Sequence, residues 1–192
     1  MKGHAMNSAS VATVLDFEVY LLMTMKLRIK MLHDEAQLEA KLAEHQLSLD
    51  DGERIHERIA EALDDEASRF ARMKNLLGIA EPGSVSVKYG SVLWPGFDFN
   101  ATAGEDGGIE SARYWHTRRD PSRASSPIGL PIWSMDVTEF TERFGPIVGS
   151  RQWPLFDKLL PAYEECEFLW DGQSYGAGFS WGLFIFSAKS WD

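Results

Sequence analysis

Cysteine is almost missing from this chain. Of 192 residues only Cys166 carries a thiol, so no intrachain disulfide and no cysteine-based metal cluster can form, and a reducing, cytoplasmic setting is expected. Long apolar runs are missing too. The longest, 11–25, is interrupted by Asp16 and Glu18 and is too short to span a bilayer. It has neither a basic leader nor a small-residue cleavage site, so no secretory signal is expected. Positive charge is scarce: 19 Lys and Arg stand against 29 Asp and Glu, a formal net charge of −10. Such a chain is repelled by phosphate backbones and anionic lipid. That disfavours general nucleic-acid and membrane-surface binding and favours a cationic ligand or a basic protein partner. There is no P-loop and no G-x-G-x-x-G after a strand. What is abundant is apolar material, 44% of residues, which excludes disorder for want of a core.

The composition changes near residue 80. All 7 tryptophans and all 8 prolines follow that point, whereas most methionines and histidines precede it. Proline breaks helices and aromatic side chains favour sheets. The change therefore predicts an α+β chain: a helical hairpin over 7–79, then a mixed module over 80–192 with an antiparallel sheet and short helices, the two free to pack as one domain. Gly78 and Pro82-Gly83 mark the junction.

Leu15, Val19, Leu22, Met25, Ile29 and Leu32 recur at helical spacing. They predict a long first helix over about 10 to 35, with a break possible at His33-Asp34. Ser48 with Asp51 starts a second helical stretch that runs to residue 77. So long a first stripe exceeds what a small module can cover, which points to a homodimer through the hairpin. In the second module Val85, Val87 and Tyr89 alternate as a strand. Residues 100–127, rich in Gly, Ser, Asp and Arg, read as a long loop. Ile128 to Ile132 suggest an edge strand, Asp136 with Glu139 opens a short helix, and Pro154 starts another with Leu155, Leu159 and Leu160 inward. Two strands are expected at 166–171 and 175–187. In the second of these Phe179, Trp181, Leu183 and Ile185 share one face, and Gly178 and Gly182 leave the other bare for close packing.

The catalytic motifs fail one by one. Gly172-Gln-Ser174-Tyr-Gly176 spells G-x-S-x-G, but a nucleophile elbow needs a helix after the serine and a later histidine, and neither follows. Asp171-Gly172 instead reads as a hairpin turn. Asp98 begins a calcium-like loop whose sixth position is Ala103 and twelfth Ile109, where Gly and Glu are required. Glu53-x-x-His56 lacks the second copy that a di-iron site needs. No catalytic residue, metal or cofactor is therefore expected.

One island stands out. Residues 113–123, RYWHTRRDPSR, hold Arg113, Trp115, His116, Arg118, Arg119 and Arg123 with one aspartate, in a module otherwise dominated by acids. Arginine and tryptophan are the residue types of interface anchors, and guanidinium groups beside an aromatic platform also hold anions. Two readings follow. In the first, the chain is a non-catalytic acidic interaction protein of inhibitor or immunity type that binds and neutralises a protein partner. In the second, it is an enzyme or small-ligand binder in which Arg118 and Arg119 clamp an anion, Trp115 stacks and His116 serves as acid or base.

Overall fold

The computed structural model describes residues 8–79, 81–118 and 125–190, with side chains from Thr13 onward. It is an α+β structure: among the described residues, six α-helices, one 3₁₀ turn and two antiparallel sheets. The helices run in the order α1 (Ser8–Thr24), α2 (Lys26–Leu32), α3 (Ala36–Ala43), α4 (Leu49–Ala62) and α5 (Arg69–Leu77). The first sheet then follows as β1 (Ser86–Gly90), β2 (Phe97–Ala103) and β3 (Ile109–His116), and after it α6 (Val137–Phe144). The second sheet, β4 (Ile147–Gln152), β5 (Tyr163–Trp170), β6 (Gln173–Ser180) and β7 (Leu183–Lys189), closes the chain. In both sheets the spatial order is the sequence order. Every strand connection is thus a hairpin, apart from the long passage between the sheets.

The expected long first helix is two, α1 and α2, with α3 following the turn after them. At Thr24 the hydroxyl bonds back to the Leu21 carbonyl at 2.5 Å and accepts the Trp181 indole N–H at 2.9 Å. A hydroxyl bonded back into its own helix bends it, and here it also serves a second element. The next break falls at His33, where the backbone turns extended and Nε2 meets the Ile185 carbonyl at 2.7 Å. The helix folds back as anticipated for His33-Asp34, so its apolar stripe meets this chain's own sheets. Val19, Leu22, Met25 and Ile29 are buried within one chain, whereas Leu32 at the end of the stripe is exposed.

Local punctuation follows residue chemistry. Ser48 and Asp51 form a reciprocal capping box at the start of α4. Gly78 closes α5 in the left-handed region, at φ 63°. Asp136 caps α6 by accepting the Glu139 N–H at 2.8 Å.

Four expectations need correction. Residues 100–116 are not loop but the bulk of β2 and β3, paired Phe99 to Tyr114 and Ala101 to Ala112. Their inward positions alternate with Asn, Thr and Arg, and turn-rich composition masked that period of two. Residues 128–132 form turns rather than an edge strand; Pro127 and Pro131 remove the donors a ladder needs. Residues 154–160 are turns too, because Asp157 Oδ1 takes the N–H groups of Leu159 and Leu160, a local bond that competes with helix. Leu159 is exposed as a result. Finally, the expected strand 175–187 is two strands. Trp181 and Gly182 form its turn with φ 50° and 80°, as Asp171 and Gly172 do with 50° and 74°. The turn splits the supposed apolar face: Trp181, Leu183 and Ile185 enter the main core, whereas Phe179 and Phe184 pack with Phe140 of α6.

The main core is continuous from Val14 of α1 through Phe99 and Tyr114 to Trp181 and Ile185. At its centre lies a carboxyl. Glu18 is fully buried; Oε2 accepts the N–H groups of Val92 and Leu93 at 2.9 and 2.7 Å, and Oε1 accepts the Tyr114 hydroxyl at 3.0 Å. Burial pushes its pKa up, and these hydrogen bonds pull it back in part. Removing the group would leave three buried donors unpaired. Glu18→Ala is therefore expected to lower unfolding stability by at least about 3 kcal/mol, while Glu18→Gln, which keeps an acceptor oxygen, costs clearly less. The pH sign follows from the raised pKa. The stability it contributes is complete below the unfolded value of 4.5 and is lost as pH rises through the folded value. Glu18→Gln, which cannot titrate, should gain on the wild type as pH rises. Denaturant titrations of the three proteins across pH check both statements.

Candidate functional site

Strand alternation decides what the basic island becomes. Along β3, Ala112 and Tyr114 are buried while Arg113 and Trp115 point outward, with Trp115 37% exposed. The two outward side chains form one unit, the Arg113 guanidinium lying 5.6 Å from the Trp115 ring centre. Opposite them run the end of β4, the segment 153–155 and the start of β5. Together these line a cleft of about 520 Å³ between the two sheets, with the Trp181-Gly182 turn at its back.

The second sheet supplies side chains to this cleft that sequence reasoning did not single out. Glu164 on β5 accepts from Arg113 and from Gln152 Nε2, each at 3.2 Å. Burial raises the Glu164 pKa, and Arg113 and Gln152 offset part of that rise. Trp153 packs on Tyr163 at 5.2 Å between ring centres, with Arg151 over its face at 5.7 Å. Each of these two indoles thus carries its own guanidinium. Trp153 and Glu164 lie tens of residues from the island in sequence, with no spacing that ties them to it.

Gly182 explains how the sheets meet. A Cβ there would come within 2.9 Å of the Tyr114 carbonyl oxygen and 3.1 Å of Arg113 Cβ. Only a glycine turn lets Tyr114 donate its N–H to the Trp181 carbonyl at 2.8 Å. Gly178 is close-packed elsewhere, under the Tyr163 hydroxyl and the Phe186 ring of the same sheet.

His116 faces away from Trp115. Its ring stacks on Phe97 at 4.5 Å, Nδ1 meets Glu139 Oε2 at 2.6 Å, and its backbone N–H reaches Asp136 Oδ2 at 2.6 Å. The buried Glu139 also pairs with Arg143 at 3.4 Å. His116 therefore latches β3 to α6. Arg118 is exposed beyond the strand end, and Arg119 and Arg123 lie outside the described residues. The structure brings Arg113 and Trp115 together and separates His116 from them.

The other motifs occupy structural positions. Ser174 sits on β6 beside the Asp171-Gly172 turn, its hydroxyl 3.3 Å from that of Ser190. Cys166 is buried, and burial pushes its thiol up to about 11, far from the thiolate that nucleophilic chemistry needs. His56 is stacked on Tyr20 at 5.2 Å rather than free on the surface, and burial lowers its pKa. Among the described residues, no group of three or more His, Cys, Asp and Glu side chains is placed to hold a metal ion.

Two variants test these assignments. Ser174→Ala should change unfolding stability by less than about 0.5 kcal/mol, and a serine-reactive phosphonate should leave Ser174 unlabelled in a mass spectrum. Gly182→Leu forces a side chain into a positive-φ position that faces the β3 backbone, and should cost about 2–3 kcal/mol, read from thermal unfolding with near-ultraviolet circular dichroism reporting the cleft tryptophans. No protein-family model matches this chain, and neither the curated proteins nor the solved structures contain a match to it.

Proposed function

We propose that this chain is a non-catalytic binding protein that holds a protein partner at the cleft of Arg113, Trp115 and Trp153, in the manner of an inhibitor or immunity protein. One observation carries the reading. The cleft presents tryptophan and arginine on rigid strands, and its Arg113 and Glu164 are bonded to one another rather than poised toward a reacting atom. Preorganised Trp and Arg anchors supply most of the affinity in protein interfaces, because little side-chain entropy is lost when they are buried. The net charge of −10 favours a basic partner through faster encounter. The anion-binding alternative has less support. Arg113 is already neutralised by Glu164, and His116 is held by Glu139 on the far side of the strand.

A cytoplasmic location belongs to the same proposal and rests on the solitary thiol. Among the described residues, no helix is long and apolar enough to cross a membrane. The homodimer keeps a narrower argument, since Val19, Leu22, Met25 and Ile29 are covered within one chain while Leu27, Met31 and Leu32 at the end of α2 stay exposed.

The test is affinity purification from the native host with wild type and Trp115→Ser, followed by identification of the retained protein and titration with that protein in pure form. Loss of a central tryptophan anchor is expected to weaken binding by about thirtyfold or more, with an unchanged melting temperature because Trp115 is partly exposed already. Undiminished affinity in Trp115→Ser would place the partner elsewhere and end the reading.

A further inference from the structure

The cleft does not stop at Trp115. Glu110, Pro154 and Leu155 line it and also line a second cavity of about 730 Å³, which continues past the β2–β3 turn to the end of the helical layer. The two form one groove beneath β3. Its lining charge is lopsided: Glu66, Glu105, Asp106, Glu110 and Glu164 stand against Arg69 and Arg113, with Arg151 over the outer Trp153 ring. Both lining cations are already engaged. Arg113 bonds Glu164 at 3.2 Å, and Arg69 bonds the Leu63 carbonyl at 2.8 Å while stacking on Phe156 at 4.2 Å. By contrast Glu66, Glu105 and Glu110 have no ion-pair partner among the described residues. Trp115 and Trp153 add apolar surface to the first cavity and Phe156 to the second.

The backbone adds a second, independent feature. β3 is an edge strand of its sheet. On the side away from β2, Tyr114 gives its N–H to Trp181 and His116 gives its own to Asp136, so that stretch of the edge is occupied; by antiparallel alternation Ala112 presents its N–H on the stretch that stays open, inside the groove. A free edge beside a groove accommodates a chain in extended form, with main-chain hydrogen bonds for affinity and side-chain pockets for selectivity.

We infer that this groove takes an extended, lysine- or arginine-rich segment of the partner, paired with the open stretch of β3 at Ala112, with its cations against Glu105, Glu110 and Glu66 and its apolar side chains against Trp115 and Trp153. The inference rests on the binding reading above and assigns it a partner chemistry and a docking mode. Ammonium and guanidinium groups find unpaired carboxylates there, their stems find indole and phenyl faces, and an acidic or phosphate-bearing ligand is repelled.

The experiment titrates the full-length chain into a short fluorescein-labelled peptide rich in Arg and Lys and follows anisotropy, with an acidic peptide of equal length as reference. The wild type should bind the basic peptide alone, and less tightly as salt rises. Glu105→Lys/Glu110→Lys, two exposed positions whose exchange leaves the fold intact, should weaken binding by about tenfold or more. Glu57→Lys/Glu61→Lys on the exposed face of α4 makes the same charge change away from the groove and should weaken it far less. No binding by the wild type, or equal weakening in both double variants, overturns the inference. If the partner retained through Trp115 stays fully bound to Glu105→Lys/Glu110→Lys, the groove assignment fails while the binding reading stands. If the basic peptide binds in the groove but Trp115→Ser retains the host partner, the binding reading fails instead.

Discussion

A carboxyl group in the middle of an aromatic core is the constraint on which the rest of this structure depends. Glu18 is surrounded by α1, the turn after β1 and the β3 tyrosine, and it satisfies two backbone N–H groups and one hydroxyl. Burying a carboxyl is costly unless its hydrogen bonds are made, so these three partners are held in one arrangement. That arrangement sets where Tyr114 sits. Tyr114 in turn gives its N–H to Trp181, and Trp181 gives its indole N–H to Thr24 at the end of α1. A closed circuit thus runs from the first helix through both sheets and back.

The circuit explains why the cleft is shaped as it is. Arg113 and Trp115 flank Tyr114 on β3, so the residue that seals the core also aims its two neighbours outward. The second sheet is fixed to the helices by Arg28, which bonds Tyr163 at 2.9 Å and Glu165 at 2.7 Å and stacks on the Tyr163 ring. Glu164, lying between those two residues, is thereby delivered to Arg113. At the far end of β3, His116 and Glu139 join the strand to α6. The cleft walls are thus held on three sides by contacts to other elements, the condition for a binding surface that loses little entropy when occupied.

Electrostatics then separates two roles for charge in one acidic molecule. Where carboxylates meet cations of the same chain, as in Arg113 with Glu164, Lys26 with Glu53 and Arg28 with Glu165, they join elements. Such partly exposed pairs add little to stability, but they fix geometry. Where carboxylates lack cations among the described residues, as at Glu66, Glu105 and Glu110, they leave a field that a partner can answer.

Much of this was legible in the residues, and the illegible part has a physical pattern. Capping pairs at Ser48 and Asp136, the stop at Gly78 and the Asp171-Gly172 turn depend on neighbours a few residues away, and each appears where its chemistry predicted. The failure of Ser174 as an elbow was equally local. The α+β class followed from the distribution of tryptophan and proline. What escaped were features set by distant residues. Trp181 occupies a turn at φ 50° because Thr24 and Ala162 hold it there, although tryptophan carries no turn signal of its own. The start of the island, Arg113 to His116, read as loop because arginine and serine hid its alternation. Tertiary structure alone split His116 from Trp115, joined Arg113 to Glu164 and set Glu110 between two cavities. Local sequence determines where helices start and turns form, because those bonds span only a few residues. Which side chains share a cleft is decided by the packing of β3 against β5, and that rests on the burial of Glu18, Tyr114 and Trp181 together.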